Sequence, residues 1–192
     1  MKFDISLTTN YGIMLSGGLD SAILFYLLIK SEPRIKLQPF TIPKADGSYL
    51  YADPIIDHFN NKFNLTIPPT IQVGDITLHH SQMGKSGVSD VIRNYKHIQI
   101  IYNALNSVPP ELQDGREPIR ATQEPAQKVK LPFMTMYKDQ ILQIMFDEDQ
   151  TDLIDLTHSC TERPVGRCNH CWQCGERIWA FNKLGKVDTG KK

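Results

Sequence analysis

Apolar residues cluster at Tyr11–Leu15, then recur near helical spacing at Ala22, Ile23, Leu27 and Ile29, with a glycine turn between. This pattern predicts a buried strand, a turn over Ser16–Gly18, and a helix from Leu19 to Lys30 that Ser31, Glu32 and Pro33 bring to a stop. Ile35–Ile42 predicts a second strand. Asp53 is placed to cap a helix with Pro54 in its first turn and Ile55, Ile56, Phe59 and Phe63 on its apolar face. Pro68–Val73 predicts a third strand. From Gly74 to Asp90 the periodicity fades into Gly, Ser and His, which predicts a loop. Val91, Ile92, Tyr95, Ile98, Tyr102 and Leu105 then fall at helical spacing and predict a long helix ending near Pro109.

Residues 109–130 are polar, with four prolines, and predict a connector that folds over a ligand. Tyr137–Phe146 predicts a helix that turns Ile141, Leu142, Met145 and Phe146 inward, and Leu153–Leu156 a last short strand. Residues 184–192 predict a disordered tail, leaving one domain over 1–183. Strand, glycine turn, helix, strand, helix, strand is the order of an α/β protein with a doubly wound parallel sheet. The glycine turn then lies at the carboxyl end of the first strand, where such sheets bind ligands.

Composition changes little. With 41% apolar and 22% charged residues, a chain of 192 residues has enough to bury one core. Basic and acidic residues balance at 21 each, so the overall charge footprint of a non-specific nucleic-acid binder is missing, and nucleic acid is not expected as a direct ligand. The longest apolar run, Ala22–Ile29, is too short to span a bilayer, and the start lacks a signal-peptide core. A cytoplasmic protein without a membrane partner is expected; the sequence leaves a homodimer open.

Chemistry concentrates at two places. In Ser-Gly-Gly-Leu-Asp-Ser, residues 16–21, the two glycines reach backbone angles closed to other residues and let successive N–H groups converge on an oxyanion. The following helix presents its positive end, and Ser16 and Ser21 add hydroxyls. Asp20 suits a bare phosphate only with a divalent cation, Mg²⁺, between them. The spacing is neither a Walker A loop nor GxGxxG. Ser and Asp merely capping a helix is the plainer reading of such a turn.

The second place is the cysteines. All four, Cys160, Cys168, Cys171 and Cys174, lie within fifteen residues as C-x7-C-x2-C-x2-C. Such crowding suggests a metal rather than disulfides, and four thiolates suit tetrahedral Zn²⁺. A 4Fe–4S cluster takes the same ligands and stays open at this point. His170 lies within the cluster, but four cysteines already complete a site. Trp172 and Trp179 are expected to pack around it, and His79 and His80 to face solvent.

"MLSGGLDSAILFYLL" resembles the PP-loop of the N-type ATP pyrophosphatases. The resemblance implies a five-stranded sheet of the adenine nucleotide alpha hydrolase type. It also implies that Leu15, Ser16, Gly17, Gly18, Leu19, Asp20 and Ser21 hold ATP and its leaving pyrophosphate with Mg²⁺. The segment "THSCTERPVGRCNHCWQCGERIWAF" is similar to the C-terminal zinc site of the 7-cyano-7-deazaguanine synthases, with Ser159, Cys160, Arg177, Ala180 and Phe181 in matching places. It implies a zinc-binding segment over 158–181.

"LPFMTMYKDQI" resembles that family's lysine segment and aligns Lys138 with its lysine; "VIRN" resembles its Arg-Asn pair and adds Arg93. The implied activity is that of an AMP-forming carbon–nitrogen ligase. A carboxylate of the 7-carboxy-7-deazaguanine type is adenylated and ammonia substituted to give amide and nitrile, with Asp20 and Lys138 as catalytic groups. The chain departs from the family in lacking its D-x-S-G-Y-P-D-C-R stretch, and the shortening falls in the connector over 109–130. A PP-loop sulfurtransferase or tRNA thiolase, a ligase for another substrate, and a zinc-ribbon nucleic-acid module are the competing readings.

Overall fold

The computed structural model describes residues 1–115, 117 and 126–190, apart from the side chains of His80 and Ser81. Residues 116 and 118–125 of the connector predicted over 109–130 therefore lie outside the described residues. Five parallel strands form one sheet: β1 (Asn10–Met14), β2 (Lys36–Thr41), β3 (Ile71–Gln72), β4 (Ile100–Asn103) and β5 (Val129–Lys130). Their order is β3-β2-β1-β4-β5. Strand order reverses between β1 and β4, so the carboxyl ends of these two strands flank the switch point where α/β sheets open a crevice. Met14 pairs with Phe40 on one side and Asn103 on the other, which brings the ends of β1, β2 and β4 level.

Helices α1 (Leu19–Ser31), α2 (Ala52–Phe63), α4 (Lys138–Asp147), α5 (Leu153–Leu156) and α6 (Trp172–Lys183) pack on one face, over Tyr11, Ile13, Leu37 and Tyr102. Helix α3 (His80–Asn94) covers the other, over Met14, Phe40 and Ile101. Apolar side chains thus leave both faces of β1 and β4, as a parallel sheet between helices requires. Among the described residues, no helix is long and apolar enough to cross a membrane.

Four expectations are corrected. Residues 80–94 are helical, not a loop: Val88, Val91 and Ile92 make a narrow apolar stripe, and Gly87 lets α3 approach so closely that a Cβ there would meet the Ile42 side chain at 2.6 Å. The long helix expected from Val91 to Leu105 ends at Asn94, and Ile100–Asn103 is strand β4. Ile101 faces one core and Tyr102 the other, so this strand lacks the alternation that would separate it from a helix. Leu153–Leu156 is a helical turn rather than a strand. Asp53 does not cap α2; its carboxylate accepts from the Thr70 N–H at 2.8 Å and ties the helix to the approach of β3.

The predicted tail differs as well. Through Gly190 the chain folds back onto the body, where Asp188 accepts hydrogen bonds from Arg167 and Arg177.

Candidate active site and metal centre

The turn after β1 is held open by its own hydroxyls. The Leu15 N–H donates to the Phe40 carbonyl at 2.7 Å, ending the strand ladder. The Ser16 N–H and hydroxyl both reach the Ser21 Oγ, at 3.2 and 3.1 Å, and the Ser21 hydroxyl donates to the Gly18 carbonyl at 2.9 Å. Gly17 has φ +79°, and a Cβ there would lie 2.0 Å from the Ser48 carbonyl oxygen, so both angle and space demand glycine. Gly18 caps α1 without a side-chain bond. The first-turn N–H groups of Leu19, Asp20 and Ser21 have no intrahelical acceptor and gather the positive end of the helix at this point. Leu15 and Leu19 bury their side chains in the core, so what they offer a ligand is backbone.

A cleft of about 400 Å³ opens here, lined by every residue from Leu15 to Ser21 except Gly17, by Asn103–Asn106 after β4, and by Lys138. Thr41, Lys44 and Asp46 form another side, and His158–Thr161, Gln173 and Glu176 close it from the cysteine segment. A second cavity, of about 340 Å³, lies near the start of β1 and β2 and contains none of the turn residues. The first is the candidate site, because it combines the switch point, a helix N-terminus and buried ionisable groups.

Lys138 is the first residue of α4, where the helix field disfavours a cation. Two acids offset this. Its Nζ lies 2.6 Å from Asp20 Oδ2 and 3.4 Å from Glu176 Oε2. Glu176 is in turn held by Asn106, whose Nδ2 donates to Oε1 at 3.1 Å. Three buried side-chain atoms that belong to cleft residues lack a hydrogen-bond partner among the described residues: Asp20 Oδ1, Thr41 Oγ1 and His158 Nε2. A buried polar atom left unpaired is costly, and three around one cleft fit a site built for a polar ligand. Arg93 stands exposed in the last turn of α3 and does not line the cleft.

Glu176, Asn106 and His158 were not singled out from the sequence. The His158 N–H donates to the Gly17 carbonyl at 2.9 Å, and its ring stacks on Tyr51 with centroids 4.8 Å apart. Tyr51 in turn donates to the Pro164 carbonyl. For Glu176 a signal existed: an acid placed directly after a metal-type cysteine segment, beside an arginine, where helix α6 turns inward.

The four cysteine sulfurs all lie within 4.8 Å of one another. One tetrahedral ion would hold thiolates about 3.8 Å apart, a small contraction from this arrangement. An iron–sulfur cube spreads its ligands over separate irons, so such close sulfurs fit a single ion better. The Cys171 N–H points at the Cys168 sulfur at 3.2 Å, and the Cys174 N–H at the Cys171 sulfur at 3.4 Å. Burial by itself raises the Cys168 thiol, but N–H groups of His170 and Cys171 and the neighbouring thiols outweigh it and bring it down to about 6. Burial pushes the Cys174 thiol far above the usual range, with Cys171 and Cys160 adding to the effect. A bound cation would hold both as thiolates.

Fold and site together define an α/β chain with a doubly wound parallel sheet, a cleft at its switch point and a cluster of four cysteines of which Cys160 lines that cleft. No protein-family model and no curated protein matches this chain. Among solved structures it is similar to the NMN synthetase from Francisella tularensis, at 13% identity and a TM-score of 0.54, over 93% of this chain and 78% of that one. It is also similar to the U34-tRNA thiolase NcsA from Methanococcus maripaludis, a structure with its 4Fe–4S cluster, at 15% identity and a TM-score of 0.45. That match covers 92% of this chain and 65% of the thiolase. The first likeness establishes a shared fold.

Proposed function

We propose that the chain is an AMP-forming, ATP-dependent ligase of the PP-loop type that adenylates a carboxylate of the 7-carboxy-7-deazaguanine class. The observation that carries this reading is the Ser16–Ser21 turn at the switch point, with the α1 N-terminus, Asp20 and Lys138 converging on one cleft. Asp20 would hold Mg²⁺ through the carboxylate oxygen that has no partner among the described residues, and Mg²⁺ would supply charge neutralisation on the phosphates. Cys160, Cys168, Cys171 and Cys174 are the residues to hold Zn²⁺, and four thiolates leave it no open position, so its role is structural.

The reaction balances as follows. A carboxylate oxygen of the substrate attacks the ATP α-phosphorus, the bond to the β-phosphate oxygen breaks, and pyrophosphate leaves with the electron pair. The turn amides, the Ser16 hydroxyl and Lys138 donate to the departing oxygens, stabilising charge where it develops. Ammonia then attacks the acyl carbon, AMP leaves, and a proton is lost to give the amide. The amide oxygen then attacks the α-phosphorus of a second ATP and pyrophosphate leaves; loss of AMP and two protons from the adenylated amide gives the nitrile.

The test is to incubate the zinc-loaded protein with ATP, Mg²⁺, ammonium and 7-carboxy-7-deazaguanine, and to identify nucleotides and purines by mass spectrometry. Carboxylate-dependent release of AMP and pyrophosphate with amide or nitrile is the expected result. Unchanged deazapurine with ATP bound removes that substrate, and absence of ATP binding removes the reading altogether.

A further inference from the structure

Asp20 is half used. Its Oδ2 accepts from the Lys138 ammonium at 2.6 Å, while Oδ1 is buried without a partner among the described residues. Lys138 is itself shared, with Glu176 Oε2 3.4 Å away on its other side. The Glu176 side chain is only 3% exposed, and Asn106 fixes its second oxygen, so this acid is a built part of the cleft wall. Among the described residues, two acidic side chains thus meet one basic one beside the glycine turn. Among the described residues, the other lysine lining the cleft is Lys44, after β2.

A lysine fixed on Asp20 would repel any divalent cation from that carboxylate. A lysine absent from the cleft would leave the departing phosphate with less positive charge. Both demands are met by an ammonium that changes partner, and a lysine has three donors on a flexible stem with which to do so. We infer that Lys138 is an exchangeable counter-ion of Asp20. It occupies the place that a divalent cation takes on that carboxylate, and Glu176 is the seat that keeps it beside the phosphates after the exchange. Glu176 is in this sense a positioning residue, acting through Lys138. The identity of the phosphates rests on the ligase reading; the exchange between Lys138 and a cation at Asp20 stands without it.

Titration of Mn²⁺ into the nucleotide-free, zinc-loaded protein, followed by loss of the free-ion electron paramagnetic resonance signal, reads the competition directly. Lys138→Met keeps the apolar stem and removes the competing charge, and should bind Mn²⁺ roughly tenfold more tightly than the parent. Glu176→Gln removes the alternative seat, confines the ammonium to Asp20, and should bind roughly tenfold more weakly. A general loosening of the cleft would weaken both variants, so shifts in opposite directions identify the exchange. Equal affinity in Lys138→Met and the parent, or weakening in both variants, overturns the inference. If Lys138→Met does not fold, Glu176→Gln decides alone, and an unchanged Mn²⁺ affinity there overturns it. ATP is absent from the titration. Its failure therefore leaves the ligase reading standing, and a protein that releases no AMP leaves the exchange standing.

Discussion

Replacing Asp188 by alanine should destabilise the fold well beyond what loss of a surface ion pair costs. Arg177 is 1% exposed, and its Nε and Nη2 donate to the Asp188 carboxylate at 2.8 and 3.0 Å. Arg167 adds a bond to Oδ1 at 2.8 Å. The remaining partners of Arg177, the Ile154 carbonyl and the hydroxyls of Thr157 and Ser159, carry no charge. Alanine would therefore strand a buried guanidinium without its counter-ion, a change that costs about 3–5 kcal/mol rather than the fraction typical of surface pairs.

For a domain of this size each kcal/mol lowers Tm by about 2–4 °C, so the midpoint should fall by roughly 6–20 °C. Thermal unfolding at saturating Zn²⁺ measures it, with the metal held constant because a ligand of the native state moves Tm by itself. The pH dependence has a definite sign. Burial raises the Asp188 carboxyl, but the two arginines outweigh it and hold it below the usual carboxylate range. Its contribution is fully present above an unfolded pKa of about 3.9 and is lost as pH falls through the lower folded value. The gap between parent and Asp188→Asn should be constant from about pH 5 to 7 and close below about pH 4. A Tm shift under about 2 °C in Asp188→Ala would mean that the last residues are not packed, and that the disordered tail expected from composition is the better description.

Gly17→Ala should lower stability by roughly 2–5 kcal/mol in urea unfolding, because positive φ and contact with the Ser48 carbonyl both oppose a Cβ. An unchanged midpoint would refute the tight approach of the Ser48–Tyr51 turn. The purified protein should be colourless and carry one Zn²⁺ per chain by elemental analysis, and Cys174→Ser should lose the ion and melt earlier. Absorption near about 400 nm would replace zinc by an iron–sulfur cluster.

The sequence made β1, the glycine turn and α1 legible because three independent signals agree there: a buried run, a turn that needs positive φ, and helical spacing from Leu19. The four cysteines were legible for the same reason, since metal spacing survives whatever fold surrounds it. Helix α3 was not. Its stability comes from docking Val88, Val91 and Ile92 on the sheet, while Gly84, Gly87 and the serines argue locally for a loop. Strand β4 was lost because a strand buried on both faces has no period of two. Lys138 was found only through resemblance, and its partner Glu176 was not found, because their meeting joins α4 to α6 across thirty-eight residues.

The glycine turn and the cysteine segment converge on one cleft, and this would give a metal held by the four cysteines a route to influence that cleft. Cys160 and Cys171 are buried, and the backbone flanking them carries His158, Ser159, Thr161 and, one turn into α6, Glu176 to the cleft wall. The His158 N–H holds the Gly17 carbonyl, the His158 ring holds Tyr51, and Tyr51 holds the Pro164 carbonyl on the loop between the first two cysteines. Drawing four sulfurs onto one ion fixes Cys160 and Cys171 relative to each other. It thereby fixes the wall that presses on the glycine turn and the acid that faces Lys138. A structural ion is therefore expected to sharpen ligand binding at Ser16–Ser21 through geometry alone, since the segment it orders is the wall itself.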